Sequence, residues 1–338
     1  MTEKTVFLTG YFDRNFGDDM MMKLIVRQLP EVTFLVEDSV DTPLQSESNV
    51  VQKDRETCRR YPKLVVIGSG FMINTKAALK TELLWLLKGR HPGDYCLGCN
   101  MEPLDSPIKQ FLISRKLNQF KLITCRDQAS YRWLQQNTQK PETHYLPDIL
   151  FSLPDEWLPE RKSPDKLGIS LMHRAGDSAD CLYYRAMAEA ADEWVEKTGK
   201  GVILMAFDTG KEDDLFACRA VQSLMRHPER TEIAAHRDGT EIPAAYARCE
   251  KIIGTRLHSM VLALRMGIPF FPVIFREKMW NLICDLNYPV AGCKIDRINQ
   301  QAIFSFLSEP QSVFSLQADL RSAANKHALL LKAAMNED

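Results

Sequence analysis

The chain has 338 residues, of which 45% are hydrophobic and 26% are charged, and its formal net charge is −1. This length predicts two domains, each able to bury its own core, and the balanced charge argues against a nucleic-acid-binding protein. No apolar run approaches the roughly 20 residues of a membrane span, and the first ten residues lack a signal-peptide layout. We therefore expect a cytoplasmic protein without a transmembrane segment, and contact with a membrane surface stays open.

Strand-like and helix-like segments alternate through the first half of the chain. The predicted strands are VFLTG, TFLVED, LVVIGSG, YCLGC, KLITC and THYL. The clearest helices between them are DMMMKLIVRQL, AALKTELLWLLK, PIKQFLISRKL and SYRWLQQN. Residues 145–166, rich in proline and charge, then predict a connection between two domains.

The alternation restarts after this connection. The predicted strands are KLGISLM, GVILMAF, TEIAAH, KIIG and FFPVIF. The predicted helices are CLYYRAMAEAADEWVEK, DDLFACRAVQSLM, IPAAYARC, one starting near Arg256, KMWNLICDL, QAIFSFL and a closing helix in SLQADLRSAANKHALLLKAAM.

Alternating β and α segments predict parallel sheets with helices on both faces. A single eight-stranded barrel is the alternative, but about eleven strands are predicted and the proline-rich break falls midway. The pattern favours an α/β protein with two doubly wound domains that face each other across a cleft. We predict domains at residues 1–155 and 165–310, and a C-terminal helix within 311–338 that packs back on the first domain.

Ligands in such folds bind at the carboxyl ends of strands, so the loops after strands are the candidate sites. The first loop, GYFDRNFGDDMM, offers Asn15, Gly17 and Asp18 for a tight turn and helix capping. It lacks the G-x-G-x-x-G pattern, so no NAD or FAD is expected. The second loop, IGSGF at residues 68–71, has small residues that permit close backbone approach.

Two further loops carry charged side chains. Arg126 and Asp127 follow one strand, either as ligand contacts or as a local ion pair with a helix cap. His173 and Arg174 follow the first strand of the second domain, either as ligand contacts or as solvent-facing side chains.

The segment KIIGTRLHSMVLALRMGIPFFPVIF, residues 251–275, is the most informative part of the chain. Arg256 and His258 lie where a strand ends and a helix begins. A helix N-terminus has unpaired N–H groups and a positive dipole end, so these side chains predict a phosphate or carboxylate site. The alternative is a helix start at which the arginine pairs with a neighbouring acid.

The nine cysteines are scattered through apolar stretches, which is typical of reduced, buried thiols. Cys96 and Cys99 have C-x-x-C spacing, but a zinc site needs a second pair and a thioredoxin-type motif opens a helix. Neither condition holds, so we expect these cysteines to be structural and predict no metal.

These segments together resemble the polysaccharide pyruvyl transferase family. The matching positions are Asn15, Gly17 and Asp18 of an N-x-G-D element, Gly68, Ser69 and Gly70 of a glycine-rich strand end, Pro103, Arg126, Asp127 and Ser130 of an R-D-x-x-S element, Pro147 and Asp148 of a P-D element, Arg256, Leu257 and His258 of an R-L-H element, and Lys278. The resemblance covers about residues 8–285, with the motifs in the family's order.

The resemblance implies two Rossmann-like domains arranged as in GT-B enzymes. It also implies transfer of the pyruvyl group of phosphoenolpyruvate to hydroxyls of a cell-surface polysaccharide precursor, forming a ketal without a cofactor. Arg256, Leu257 and His258 would then contact the donor, and the first-domain motifs would face the acceptor. Whether the acceptor is lipid-linked and whether the protein forms a homo-oligomer stay open.

The proposed chemistry assigns roles to the candidate residues. A donor with a phosphate and a carboxylate needs at least two cations, which Arg256, Arg174 and Lys278 can supply. His258 or His173 could act as acid or base, and Asp18, Asp127 or Asp148 could activate the acceptor hydroxyl. The predicted catalytic residues are His258, Arg256, His173 and Asp18. The predicted substrate-binding residues are Arg256, Leu257, His258, Arg174, Lys278, Asn15, Gly17, Asp18, Gly70, Arg126 and Asp127.

Three departures from the family pattern affect this assignment. An arginine expected directly after the first strand of the second domain is shifted to Arg174. Phe275 and Arg276 stand where a tyrosine is common, and residues 208–210, Asp-Thr-Gly, replace a usual histidine and glycine. A GT-B glycosyltransferase with a nucleotide-sugar donor and a non-catalytic binding protein of the same fold therefore stay open as alternatives.

Overall fold

The computed structural model describes residues 4–61, 63–68, 70–71, 76–87, 93–316 and 318–337. The chain divides into two compact units. Unit 1 contains the residues up to Phe12, Asp18–Ser152, and the chain from Asp319 onward. Unit 2 contains Asp13–Gly17 and Leu153–Ala318. Ser69, part of the predicted glycine-rich strand end, lies outside the described residues.

Unit 1 is built on one parallel sheet. Its strands are β1 (Lys4–Thr9), β2 (Val32–Glu37), β3 (Val50–Lys53), β4 (Leu64–Ile67), β5 (Gly70–Phe71), β6 (Tyr95–Met101), β7 (Leu122–Cys125) and β8 (Glu142–Tyr145). Its helices are α1 (Phe16–Gln28), α2 (Arg55–Arg60), α3 (Lys76–Leu87), α4 (Pro107–Leu117), α5 (Gln128–Asn137) and the C-terminal helix α12 (Leu320–Glu337). The strand order is β3-β2-β1-β4-β6-β7-β8, and β5 pairs with β6.

Unit 2 repeats this plan. Its strands are β9 (Lys166–Leu171), β10 (Gly201–Ala206), β11 (Thr231–Ala235), β12 (Cys249–Gly254), β13 (Phe270–Ile274) and β14 (Cys293–Lys294). Its helices are α6 (Leu182–Thr198), α7 (Asp214–Leu224), α8 (Glu241–Ala247), α9 (Leu257–Arg265), α10 (Glu277–Asp285) and α11 (Gln300–Ser308). All strands are parallel, in the order β11-β10-β9-β12-β13-β14. From β9 the chain first adds β10 and β11 on one side and then β12 to β14 on the other side, which is the doubly wound arrangement of dinucleotide-binding folds.

Both units show why the sequence favours this fold. Central strands such as β6 and β10 are buried along their whole length, because helices cover both faces of a parallel sheet. The predicted fold class, α/β with two Rossmann-like doubly wound domains, is confirmed. The sequence did not predict β3, β5, β14 or helix α2, which are short, and β3 is largely exposed.

The opening loop belongs to a different unit from the one predicted. Residues 13–17 were predicted within a first domain at 1–155, but their contacts place them in unit 2. The amide of Phe16 donates to the carbonyl of Phe207 at 2.8 Å, and the amide of Thr209 donates to the carbonyl of Arg14 at 3.1 Å. The chain therefore contributes five residues of its opening loop to the second unit.

The C-terminal helix is held in unit 1 by a buried histidine. His327 of α12 makes a 2.7 Å hydrogen bond between its Nδ1 and Thr124 Oγ1 of β7, and its Nε2 donates to the carbonyl of Pro147 at 2.8 Å. Burial lowers the pKa of His327 to about 4, so the ring is neutral at neutral pH. Among the described helices, none is both long and apolar enough to cross a bilayer.

Candidate active site

The R-L-H element lies at the centre of the sheet of unit 2. Strand β12 pairs with β9 on one side and β13 on the other, and Arg256 is the N-cap residue of α9. Gly254 permits this turn, because a Cβ there would lie 2.5 Å from Ser259 Oγ and 2.6 Å from the ring of Phe270. The loops after β9, β10 and β12 leave neighbouring strands at the position where the strand order reverses, where ligands bind in doubly wound sheets.

Arg256 pairs with two acids that follow β10. Its Nε donates to Asp214 Oδ2 at 3.0 Å, its Nη2 donates to Asp214 Oδ1 at 2.5 Å, and its Nη1 donates to Glu212 Oε2. Burial alone would lower the pKa of Arg256, but the charges and hydrogen bonds of these acids outweigh it and raise the pKa. The arginine thus has the acidic neighbours that the alternative interpretation predicted.

Asp214 connects three loops of unit 2. Besides Arg256, its carboxylate accepts the backbone amides of His173 at 3.1 Å and Asp208 at 2.9 Å. The side chain is completely buried, and burial raises its pKa against the opposing charge of Arg256. Asp214 therefore fixes the orientation of Arg256 relative to the ends of β9 and β10.

Asp208, directly after β10, organises the loop that carries Glu212. Its Oδ1 accepts the amides of Gly210 at 3.0 Å and Glu212 at 3.3 Å, and its Oδ2 accepts Asn15 Nδ2 at 3.2 Å. Burial raises the pKa of Asp208 to about 6, against the lowering effects of Asn15 and Arg256. A buried carboxyl that titrates near neutrality is a common feature of functional sites.

Within unit 2, His258 lies against Gly17 of the N-x-G-D element. A Cβ built on Gly17 would lie 1.6 Å from His258 Nδ1, so the imidazole occupies the space that any larger residue at position 17 would need. Asn15 accepts the amide of Gly17 on its Oδ1 at 3.1 Å. His258 and Leu257 are both buried, with 7% and 5% of their surface exposed.

Positive charges from two loops act on the carboxylate of Glu212. Its burial would raise the pKa, but Arg256, and beyond it Arg276 and Lys278 at the start of α10, lower it. The guanidinium of Arg276 also lies 5.3 Å from the ring centre of Phe275. The predicted donor-binding residues Arg256 and Lys278 are therefore close enough to act on the same carboxylate.

His173 and Arg174 have different surroundings. His173 Nδ1 is 3.0 Å from the hydroxyl of Tyr184, and its ring centre is 4.6 Å from that of Phe216. Arg174 donates from Nε and Nη2 to Asp177, each at 2.9 Å. Asp214 connects His173 to Arg256, whereas Arg174 forms its hydrogen bonds within its own loop.

In unit 1, the predicted acceptor residues form buried polar contacts. Arg126 Nη1 donates to Asp148 at 3.0 Å and Nη2 donates to Asn100 at 2.7 Å. Asp127 caps α5, accepting from the amide of Ser130 at 2.8 Å and its hydroxyl at 2.7 Å. Arg126 thus pairs with Asp148, and the helix cap of the alternative interpretation is present.

Asp18 and the glycine-rich strand end meet in unit 1. Gly68 has a φ of +70°, and a Cβ there would lie 2.7 Å from Met21 Cε and 2.9 Å from Asp18 Oδ1. Gly70 is exposed and pairs with Asn100 in the β5–β6 ladder. Two motifs that are 50 residues apart thus become neighbours.

The cysteine pair lies in the core of unit 1. Cys96 and Cys99 are completely buried, and a hydrogen bond with Cys99 together with burial raises the pKa of Cys96. Within the described ranges, no group of three or more His, Cys, Asp or Glu side chains is arranged to hold a metal ion.

Sequence reasoning missed the three acids that contact or support Arg256. Asp208, Glu212 and Asp214 follow β10, which is a loop directly after a predicted strand. The criterion used for the other loops would have found them, but the predicted helix DDLFACRAVQSLM includes Asp214, and its carboxylate is therefore interpreted as that of an ordinary residue at a helix start.

The family model for polysaccharide pyruvyl transferase matches residues 15–274. The chain belongs to this family. This transferase acts on a saccharide acceptor, as the family implies, and the predicted enzyme class is confirmed. No curated protein sequence is significantly similar to it.

Solved structures show the same fold. A putative UDP-N-acetylglucosamine 2-epimerase from Listeria monocytogenes aligns with a TM-score of 0.60 at 9% identity, covering 100% of this chain and 98% of that one. S. aureus MnaA with UDP aligns with a TM-score of 0.58 at 10% identity, covering 99% and 97%. The UDP-GlcNAc 2-epimerase of Methanocaldococcus jannaschii with UDP-GlcNAc and UDP gives 0.57 at 10% identity, covering 98% and 99%. These neighbours are GT-B fold enzymes, which confirms the predicted fold family of the transferase.

Proposed function

We propose that this transferase moves the pyruvyl group of phosphoenolpyruvate onto two hydroxyls of a sugar in a polysaccharide precursor. The observation that carries the proposal is the position of Arg256 and His258 where β12 meets α9, with Arg276 and Lys278 acting on the same carboxylate, Glu212. A donor with two anionic groups needs at least two cations, which these side chains supply, and the start of α9 adds the positive end of a helix dipole.

The proposed reaction balances without a further reactant. The methylene carbon of phosphoenolpyruvate takes a proton, and the carbon bearing phosphate forms bonds to both hydroxyl oxygens. The bond from that carbon to the phosphate oxygen breaks. The two hydroxyls lose two protons in total. One balances the proton that the methylene carbon gains, and the other leaves on the released phosphate. The product is a cyclic ketal.

His258 is the proposed proton-transferring group or phosphate ligand of this reaction. Its ring lies against Gly17, and its place two residues after Arg256 in the same strand-to-helix turn supports a role at an anion held by that guanidinium. General acid–base catalysis contributes about 10²–10⁴-fold, and stabilisation of developing charge by fixed cations is often the larger effect. Arg256 would supply that stabilisation.

Donor titration tests the proposal. Phosphoenolpyruvate should raise the melting temperature of the protein, and nucleotide sugars such as UDP-GlcNAc should not. The opposite result would support the nucleotide-sugar alternative and refute our proposal. Phosphate release with candidate acceptors, followed by product mass, should then show addition of one pyruvyl group. Arg256→Ala and His258→Ala proteins that remain folded should lose this release, and unchanged release would contradict the assignment.

A further inference from the structure

Arg256 donates hydrogen bonds to two acids, and these two acids differ in how firmly the fold holds them. Nε and Nη2 bond Asp214, whose carboxylate is completely buried and also accepts two backbone amides. Nη1 bonds Glu212, whose side chain is 35% exposed. One edge of the guanidinium is therefore fixed to the fold, whereas the other is paired with a carboxylate that solvent can reach.

Glu212 is also held differently along the backbone. The backbone amide of Glu212 donates to Asp208 Oδ1 at 3.3 Å, and the backbone amide of Lys211 donates to Asp13 Oδ2 at 3.1 Å. These bonds fix the backbone of the loop and leave the side chain of Glu212 to be held by its cation contacts. The side chain can therefore leave Arg256 without unfolding the loop.

We propose that Glu212 is a built-in competitor for the donor anion, and that an anionic group of the donor displaces its carboxylate from Arg256. This inference rests on the proposed function for the identity of the donor. The positive charges of Arg256, Arg276 and Lys278 all act on the carboxylate of Glu212, so Glu212 compensates part of that charge until a ligand arrives. Asp214 is the positioning residue that keeps the guanidinium in place during the exchange.

The variant Glu212→Gln separates this role from a structural one. Glutamine keeps the size and one hydrogen-bond acceptor but removes the negative charge that a ligand must displace. We expect the Kd of inorganic phosphate and that of phosphoenolpyruvate each to fall about tenfold. Damage to the fold would weaken binding, so a gain in affinity is a result that a merely structural role would not produce.

A matched control comes from the surface of the same unit. Glu232 forms two hydrogen bonds with Arg248, at 2.9 and 2.6 Å, and both side chains are about half exposed. Glu232→Gln removes the same charge without touching Arg256 and should leave both Kd values unchanged. If it tightens binding as much as Glu212→Gln does, net charge alone explains the effect and the inference is wrong.

Calorimetric titration of the wild type and both variants with phosphate and with phosphoenolpyruvate decides between the outcomes. Tighter binding of both ligands by Glu212→Gln supports the inference. Tighter binding of phosphate alone, with no binding of phosphoenolpyruvate by any of the proteins, keeps the competitor role and refutes the proposed donor. Equal or weaker phosphate binding by Glu212→Gln overturns the inference, whatever the result with phosphoenolpyruvate.

Discussion

Two arginines of this protein each lie between the end of a parallel strand and the start of a helix, but they have different partners. Arg126 follows β7 just before α5, and Arg256 follows β12 just before α9. Arg126 bonds Asp148 and Asn100, which are 1% and 2% exposed. Arg256 bonds the buried Asp214 on one edge and the partly exposed Glu212 on the other. The comparison indicates that Arg126 serves the fold of unit 1, whereas Arg256 can exchange a partner for a ligand.

Replacement of each arginine by lysine should separate these roles and gives the largest expected effect. Lysine keeps the charge but lacks the planar fork that bonds two groups at once. Arg256→Lys should lower kcat/KM of the folded protein for phosphoenolpyruvate about 10³-fold, in addition to the stability that is lost because the pair with the buried Asp214 weakens. The measurement is phosphate release with an acceptor that the tests of candidate acceptors and product mass have identified.

Arg126→Lys should lower stability without lowering activity. The free energy of unfolding should fall by about 3 kcal/mol, because Asp148 and Asn100 would share one ammonium in a buried site. Activity per folded molecule should be retained. A folded Arg126→Lys protein that loses activity as completely as Arg256→Lys would show that the two arginines do not differ as the comparison says.

The two units should also respond oppositely to pH. His327 in unit 1 has its pKa lowered from 6.5 to about 4, so its contribution to stability is complete above pH 6.5 and is lost as pH falls toward 4. Asp208 in unit 2 has its pKa raised from 3.8 to about 6, so its contribution is complete below pH 3.8 and is lost as pH rises through 6. Each effect is on the order of 3 kcal/mol.

Amide hydrogen exchange between pH 4 and pH 7, corrected for intrinsic rates, can measure both responses. Protection of β7 and α12 should fall on acidification, and protection of β10 and α7 should rise. His327→Gln should remove the first response and Asp208→Asn the second. Responses of the same sign in both units, or responses that survive these substitutions, would contradict the assignment to these two groups.

Much of the fold could be predicted because it depends on local patterns. Runs such as YCLGC and GVILMA are apolar throughout, and only a strand covered on both faces explains such short runs between helices. Strands β5 and β14 have two residues each, which is too few for a pattern. Strand β5 forms by pairing with β6, and β14 forms by pairing with β13. These pairings cannot be identified from the local sequence.

The candidate site could be predicted less completely. Arg256 and His258 follow a strand and precede a helix, so local sequence indicates their position. The partner of Arg256, Asp214, is 42 residues earlier, and its selection depends on how β10 and β12 flank β9. The contact between Gly17 and His258 depends on the opening loop joining the second unit, which no local pattern indicates.

That contact gives a smaller expected effect. Gly17→Ala places a Cβ 1.6 Å from His258 Nδ1, so the imidazole must leave its present position. We expect kcat/KM for phosphoenolpyruvate to fall about 30-fold, since small displacements of a positioned group are costly to catalysis. Gly176→Ala is the control, because no atom lies within 4 Å of its Cβ and only its φ of +95° disfavours a side chain. Equal activity of the two variants would mean that Gly17 does not position His258.

The smallest effect is expected for Cys96 and Cys99, which lie on β6 and pack in the core of unit 1. Cys96→Ala and Cys99→Ala should each lower the free energy of unfolding by about 1 kcal/mol through lost packing, and turnover should stay within about twofold. A thiol must ionise to act as a nucleophile or a metal ligand, and the pKa of Cys96 is raised by its hydrogen bond with Cys99 and by burial. Turnover measured before and after mild oxidation checks this in the wild type and both variants. A large loss of turnover in either alanine variant at unchanged stability would instead show that a thiol of unit 1 takes part in the reaction. The assignment of the catalytic site to Arg256 and its neighbours would then be wrong.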